Sequence, residues 1–210
     1  MTEIIFYFDF ISPYAHLAFA GLPRALEGLS CRTHYRPVLF AGMLKHFGQL
    51  GPAEIPGKRE WTYRDVLWQG HVHGIPIDMP AAHPFNPLAF LRLALACGRD
   101  GLVDRETAET IFRHLWVGGA DAADPARLAD LARRLSPRRD PQGEAVKAEL
   151  RANTEAAIAS GVFGVPGMVA GDRIFWGFDS LPMLRRALGG DPWFEANWDR
   201  AARVGAGVRR

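Results

Sequence analysis

Residues 4–10 (IIFYFDF) form an unbroken β-branched and aromatic run, the pattern of a strand buried on both faces, and the run stops at Ser-Pro-Tyr. Ser12 followed by Pro13 signals a helix start. The serine oxygen can accept from an orphan amide, and a proline at the first helical position gives up only an N–H that has no intrahelical partner. The helix is expected to continue through residues 16–28, with a bend or early break at Pro23. Residues 31–40 (CRTHYRPVLF) alternate well enough for a second strand, parallel to the first because a helix separates them; this predicts a right-handed βαβ unit.

From residue 41 to 160 the periodicity changes to helical, with predicted helices at 58–72, 86–98, 104–116, 125–135 and 142–160 and loops at 48–58 and 136–143. Strand texture returns after Gly161. Residues 168–171 and 173–176 flank Gly171-Asp172, a type I′ hairpin signal, and 179–189 is expected to be a closing helix capped by Asp179 or Ser180. The order βαβ, helices, ββα predicts an α/β protein with a thioredoxin-like fold, its two halves separated by a large α-helical insertion. On that reading residues 1–40 and 161–190 make a discontinuous thioredoxin-like domain. Residues 41–160 are then the insertion domain, and 191–210 a C-terminal tail ending in disorder.

Composition narrows the function. A chain of 210 residues with 48% hydrophobic content can bury a full core. Its 25 basic and 23 acidic residues leave a formal charge of +2 with no basic stripe, so nucleic acid is not an expected partner. Cys31 and Cys97 form neither a CxxC pair nor a zinc-type set, which favours a reducing, cytoplasmic setting. The opening run lacks a basic flank and contains Asp9, unlike a signal peptide, and no apolar stretch reaches the roughly 20 residues of a membrane span. His71, His73 and His83 come without a carboxylate or cysteine cluster, so no metal site is expected. Ser12 lies in no GxSxG elbow, which argues against a hydrolase triad.

Ser12 sits where a central strand gives way to a helix, and free amides with the helix dipole favour an anion there; by itself it reads as a cap. Pro166 by itself is a loop proline, and Lys45 by itself a solvated surface lysine. Taken together, FDFISPY (8–14), GVFGVP (161–166) and FWGFD (175–179) resemble, in order and spacing, the 2-hydroxychromene-2-carboxylate isomerase and kappa-class glutathione transferase family. That family is a DsbA-like branch of the thioredoxin superfamily, and the resemblance covers all but the tail.

The resemblance implies glutathione as cofactor, bound between the three segments. Ser12 would be the catalytic serine that hydrogen-bonds the glutathione sulfur. The Val165 main chain, next to a cis Pro166, would pair with the cysteinyl unit, and Trp176, Gly177, Phe178 and Asp179 would hold the γ-glutamyl end, Asp179 at its ammonium. Lys45 would meet the substrate carboxylate, with Gln49, Leu50 and His83 near the remaining substrate contacts. The implied reaction interconverts 2-hydroxychromene-2-carboxylate and trans-o-hydroxybenzylidenepyruvate, in aromatic-compound catabolism. The segment SPYA carries no thiol, so disulfide exchange at this position is chemically excluded. Departures from the family pattern are Gln49 for asparagine, Gly167 for threonine or serine, Phe178 for a polar residue and Ser180 for arginine.

The implied partners are a small aromatic substrate and a second copy of the chain. A homodimer is also expected from the aromatic residues of the insertion and of the tail, Trp193, Phe194 and Trp198. Trp61, Tyr63 and Trp68 either line an aromatic pocket or belong to the core. Two rival readings stay open: a kappa-class transferase that keeps its conjugate, and a redox-inactive thioredoxin-fold binding protein whose glutathione cleft has decayed.

Overall fold

The computed structural model describes residues 1–205 and 207. Its elements are, in order, β1 (Thr2–Phe8), α1 (Pro13–Leu26), β2 (Cys31–Pro37), α2 (Phe40–Phe47), α3 (Lys58–His73), α4 (Leu88–Cys97), α5 (Arg105–Trp116), α6 (Pro125–Leu135), α7 (Glu144–Ala159), β3 (Gly167–Ala170), β4 (Arg173–Trp176), α8 (Leu181–Leu188) and α9 (Trp193–Asn197). The sheet order is β2-β1-β3-β4, with β2 parallel to β1 and β3 and β4 antiparallel to their neighbours. This is the thioredoxin-like arrangement expected from the sequence. Among the described residues no helix is long and apolar enough to cross a membrane.

The apolar run of β1 explains its central place. Ile4, Phe6 and Phe8 point to one face and pack with α1, α4, α5 and α8, while Tyr7 points to the other and packs with Val38, Met43, Ala157, Val162 and Val165. A strand covered on both faces needs no polar alternation. The helices between β2 and β3 share this core. Phe112 of α5 stands 5.5 Å from Phe8, 4.8 Å from Phe10 and 5.0 Å from Phe19, ring centroid to centroid. Each such pair contributes about 0.5–1.5 kcal/mol beyond its burial.

The five helices expected between residues 58 and 160 all form, with ends within two residues of the sequence reading. Other expectations need correction. The second strand ends at Pro37 rather than residue 40, and an unforeseen helix, α2, follows. Its first amides are satisfied from far away: Phe40 N–H donates to Asp9 Oδ2 at 2.8 Å and Leu39 N–H to Thr154 Oγ1 at 2.9 Å. Pro23 does not break α1, which runs on to Leu26. The carbonyl that its missing amide would have met, that of Phe19, accepts instead from the Arg105 guanidinium.

Gly171 has φ +63° while Asp172 does not take positive φ, the sign pattern of a type II′ turn rather than type I′. A 3-10 turn (Phe178–Ser180) precedes α8, and neither Asp179 nor Ser180 caps that helix through its side chain; the Ser180 hydroxyl donates to the Gly177 carbonyl at 2.8 Å. The tail folds back on β4. Phe194 and Trp198 pack on Phe175 at 6.3 and 5.3 Å, so of the three tail aromatics offered as a dimer face only Trp193, 51% exposed, faces outward. The disorder expected at the end of the tail falls on residues 206 and 208–210, outside the described residues.

Candidate functional site

Between the end of β1 and the start of α1 the chain turns over residues 9–12, and the backbone there is tied down on every side. Asp9, fully buried, accepts from Ile11 N–H at 3.1 Å through Oδ1 and from Phe40 N–H at 2.8 Å through Oδ2. Trp116 Nε1–H donates to the Phe10 carbonyl at 2.9 Å, and His83 Nε2 lies 2.8 Å from the Ile11 carbonyl. Ser12 N–H returns to the Asp9 carbonyl at 3.1 Å. Burial of Asp9 outweighs the amides it accepts from and pushes its carboxyl up to about 7.

Ser12 caps α1 as the sequence predicts, its Oγ accepting from Ala15 N–H at 3.2 Å. Its own proton points to the Val165 carbonyl at 3.4 Å, long for an O–H···O bond. This contact joins the first and second motif. The Val165–Pro166 peptide is cis, as expected, and a second cis peptide at His83–Pro84 was not foreseen. Gly177 N–H donates to the Pro166 carbonyl at 3.0 Å, which joins the third motif to the second. Gly177 itself has φ +92° and ψ 164°, a region only glycine occupies freely, and a Cβ there would lie 2.4 Å from Asp179 Oδ1. The exposed Asp179 carboxylate therefore folds over the Gly177 α-carbon.

The other motif residues divide between surface and core. Trp176, 54% exposed, lies against Phe163 at 5.1 Å and over Gly164, where a Cβ would come within 2.7 Å of its Nε1. Phe178 is buried, edge-on to His73 at 4.9 Å and against Gly21, so only its main chain faces the motif. Glycine at 167 has a local cause as well: a Cβ would meet Val162 Cγ1 at 2.7 Å and the Gly164 carbonyl at 3.1 Å.

On the proposed substrate side, Lys45 lies exposed on the second turn of α2, with Gln49 and Leu50 exposed just beyond its end. The structure brings α2 to the Ser12 turn through Asp9, and no hydrogen bond joins Lys45, Gln49 or Leu50 to it among the described residues. His83 does reach the turn, yet both its ring nitrogens have protein partners, Ile11 and the Tyr63 hydroxyl at 2.8 Å. Tyr14, next but one to Ser12, donates to Asp65 Oδ2 at 2.7 Å. Burial, then that bond and the charges of Asp65 and Asp179, hold its phenol far above the usual range, so it stays protonated.

Asp9, Trp116 and Tyr14 were not singled out by sequence. One signal was present: a carboxylate inside an apolar strand, three residues before the candidate serine. Among the described residues no group of three His, Cys, Asp or Glu side chains is placed to hold a metal ion.

A thiol peptide such as glutathione fits the groups that meet here. Among the described residues the amides of Tyr14 and Val165 have no protein acceptor, the Ser12 hydroxyl proton is weakly engaged, and the Asp179 carboxylate is exposed for an ammonium.

Residues 3–189 match the family model for the DSBA-like thioredoxin domain. The chain is 31% identical over 196 residues to a 2-hydroxychromene-2-carboxylate isomerase of Sphingobium xenophagum, covering 90% of this chain and 99% of that protein. It is 27% identical over 198 residues to glutathione S-transferase kappa 2 of Caenorhabditis elegans, covering 85% and 88%. Among solved structures, a 2-hydroxychromene-2-carboxylate isomerase superposes with a TM-score of 0.78 at 25% identity, over 93% of this chain and 98% of that one.

Proposed function

The chain belongs to the DSBA-like thioredoxin domain family, within the group of the 2-hydroxychromene-2-carboxylate isomerases, and from that membership we propose that it is a glutathione-dependent isomerase of small aromatic substrates. The observation that carries the proposal is the meeting of Ser12 and Val165 at the amide end of α1, where a weakly held hydroxyl proton stands beside two amides without protein acceptors. Bound there, glutathione supplies a thiolate that adds reversibly to an electron-poor double bond, permits rotation and leaves again.

Ser12 donates to the sulfur and, with the helix terminus, holds it in the anionic form. Val165 pairs through its main chain with the cysteinyl unit beside Pro166. The main chain from Trp176 to Phe178 and the Asp179 carboxylate grip the γ-glutamyl end. Lys45 meets the substrate carboxylate, with Gln49 and Leu50 beside it. Gly167, Phe178 and Ser180, which depart from the family pattern, each have a local packing or hydrogen-bonding reason. The same proposal includes a homodimer, supported by Trp61 and Trp68, 66% and 60% exposed on α3, and a cytoplasmic setting where glutathione is kept reduced.

Calorimetric titration with glutathione, followed by assay of trans-o-hydroxybenzylidenepyruvate with and without it, tests the function. Isomerisation that requires glutathione and returns it unchanged supports the isomerase. A stable conjugate would make the protein a kappa-type transferase instead. No binding of glutathione would leave a thioredoxin-fold binding protein. Sedimentation showing only a monomer at micromolar concentration would remove the dimer.

A further inference from the structure

Ile11 and Ser12 share one peptide plane, so whatever holds the Ile11 carbonyl also directs the Ser12 N–H and the start of α1. The N–H end of that plane donates to the Asp9 carbonyl at 3.1 Å. The carbonyl end lies 2.8 Å from His83 Nε2. A carbonyl only accepts, so Nε2 carries the proton, and in the neutral ring Nδ1 is left as an acceptor. Tyr63 of α3 reaches it, its hydroxyl 2.8 Å from Nδ1 and 2.9 Å from the His83 main-chain carbonyl, so its one proton is shared between those two acceptors. Trp116 of α5 and Phe85 pack on the ring at 5.4 and 5.9 Å and fix its plane. Burial keeps His83 below the usual histidine range, in the neutral form this arrangement needs.

We propose that Tyr63 and His83 are a positioning pair for the thiolate site: Tyr63 sets the tautomer of His83, His83 holds the Ile11–Ser12 peptide, and that peptide aims the Ser12 hydroxyl at the sulfur. The proposal rests on the reading of Ser12 given above. It gives His83 a different task from the direct substrate contact implied by family resemblance, because neither ring nitrogen is free to meet a substrate. It also gives Tyr63 a task that an aromatic pocket lining or a core position does not require.

The test compares the full-length protein with His83→Ala, His83→Gln and Tyr63→Phe, each saturated with glutathione. Glutamine can place an N–H donor near the position of Nε2 but cannot also accept from Tyr63; alanine does neither. The pH titration of the bound thiolate by ultraviolet absorbance is read together with kcat and KM for trans-o-hydroxybenzylidenepyruvate.

His83→Ala is expected to lower kcat about tenfold and raise the thiol midpoint by roughly half a unit to one unit, with KM for trans-o-hydroxybenzylidenepyruvate changed less than about twofold. His83→Gln should recover most of the loss, and Tyr63→Phe should fall between. If all three variants titrate and turn over like the parent, or if glutamine rescues nothing and only the melting temperature falls, the pair is structural and the proposal is overturned.

Nitrogen-15 NMR checks the geometry without glutathione. The parent should show the Nε2–H tautomer of His83, and Tyr63→Phe a mixture of tautomers. An Nδ1–H tautomer in the parent overturns the pair even if glutathione binds. A parent that shows the Nε2–H tautomer but binds no glutathione would overturn the reading of Ser12, and with it the pair's role at the sulfur.

Discussion

Arg105 stands in for the amide that Pro23 lacks. Both its terminal nitrogens lie 3.3 Å from the carbonyl of Phe19, four residues before the proline, and its guanidinium carbon is 4.3 Å from the centre of the Phe19 ring. Arg105→Ala leaves that carbonyl without a partner and also removes a bond to the Tyr35 hydroxyl, a loss of about 2–3 kcal/mol by denaturant unfolding. In the Pro23→Ala background the helix supplies its own N–H, so the same substitution should cost measurably less. Equal costs in the two backgrounds would show that Arg105 acts elsewhere.

Asp9 gives the stability a pH signature. Its carboxyl is raised from 3.8 to about 7, so between those values the folded protein keeps a proton that the unfolded chain has released. Its contribution is complete below about pH 4 and is lost as pH rises towards 7, in total on the order of a few kcal/mol. Asp9→Asn cannot titrate. The stability difference between parent and variant, measured in urea at pH 4.5, 6 and 7.5, should therefore shift in favour of the variant as pH rises. A difference that does not change with pH would contradict the assignment.

If Ser12 holds the glutathione sulfur as proposed, Ser12→Ala removes one hydrogen bond to a thiolate, about 1.5–3 kcal/mol, while the helix-terminus amides remain. The bound glutathione thiol should titrate roughly one to two units higher, and the rate profile should move to higher pH without vanishing. Glutathione affinity should fall less, because Val165 and the stretch from Trp176 to Asp179 keep their grip. An unchanged thiolate titration would reduce Ser12 to its capping role.

Gly177→Ala tests the γ-glutamyl end. The backbone conformation there costs a non-glycine residue about 1–3 kcal/mol, and the added methyl would displace the Asp179 carboxylate that lies over it. Calorimetry should show weaker glutathione binding, and Asp179→Asn should weaken it further in the parent than in the Gly177→Ala background. Additive effects would mean that Asp179 is not the group the glycine makes room for.

What could be read from sequence follows from how local each cause is. Ser12-Pro13 announces α1 because its cap and its first residue are adjacent. The strands read correctly where burial imposes a continuous apolar run. Helix α2 was invisible because its capping acceptors come from Asp9 and Thr154, distant in sequence and near only in the fold. Pro23 misled for the same reason, since the group that compensates it lies on α5. The three segments that carry the family resemblance were legible because each is short. The bonds that tie the Ser12 turn to Trp116, His83 and Phe40 are long-range, and the only trace of them in the pattern was the Asp9 carboxylate inside its apolar run.

The strand order also dictates when during synthesis the site can exist. β1 is made about 160 residues before one of its two neighbours, β3, which begins only at Gly167. At bacterial to eukaryotic elongation speeds the ribosome needs on the order of ten to thirty seconds to reach it. Throughout that interval the β1 edge facing β3 is unpaired and the Ser12 turn has no Val165 opposite it. A nascent chain that stops short of the final hairpin therefore carries the serine without its Val165 partner, and it offers passing chaperones an aromatic strand.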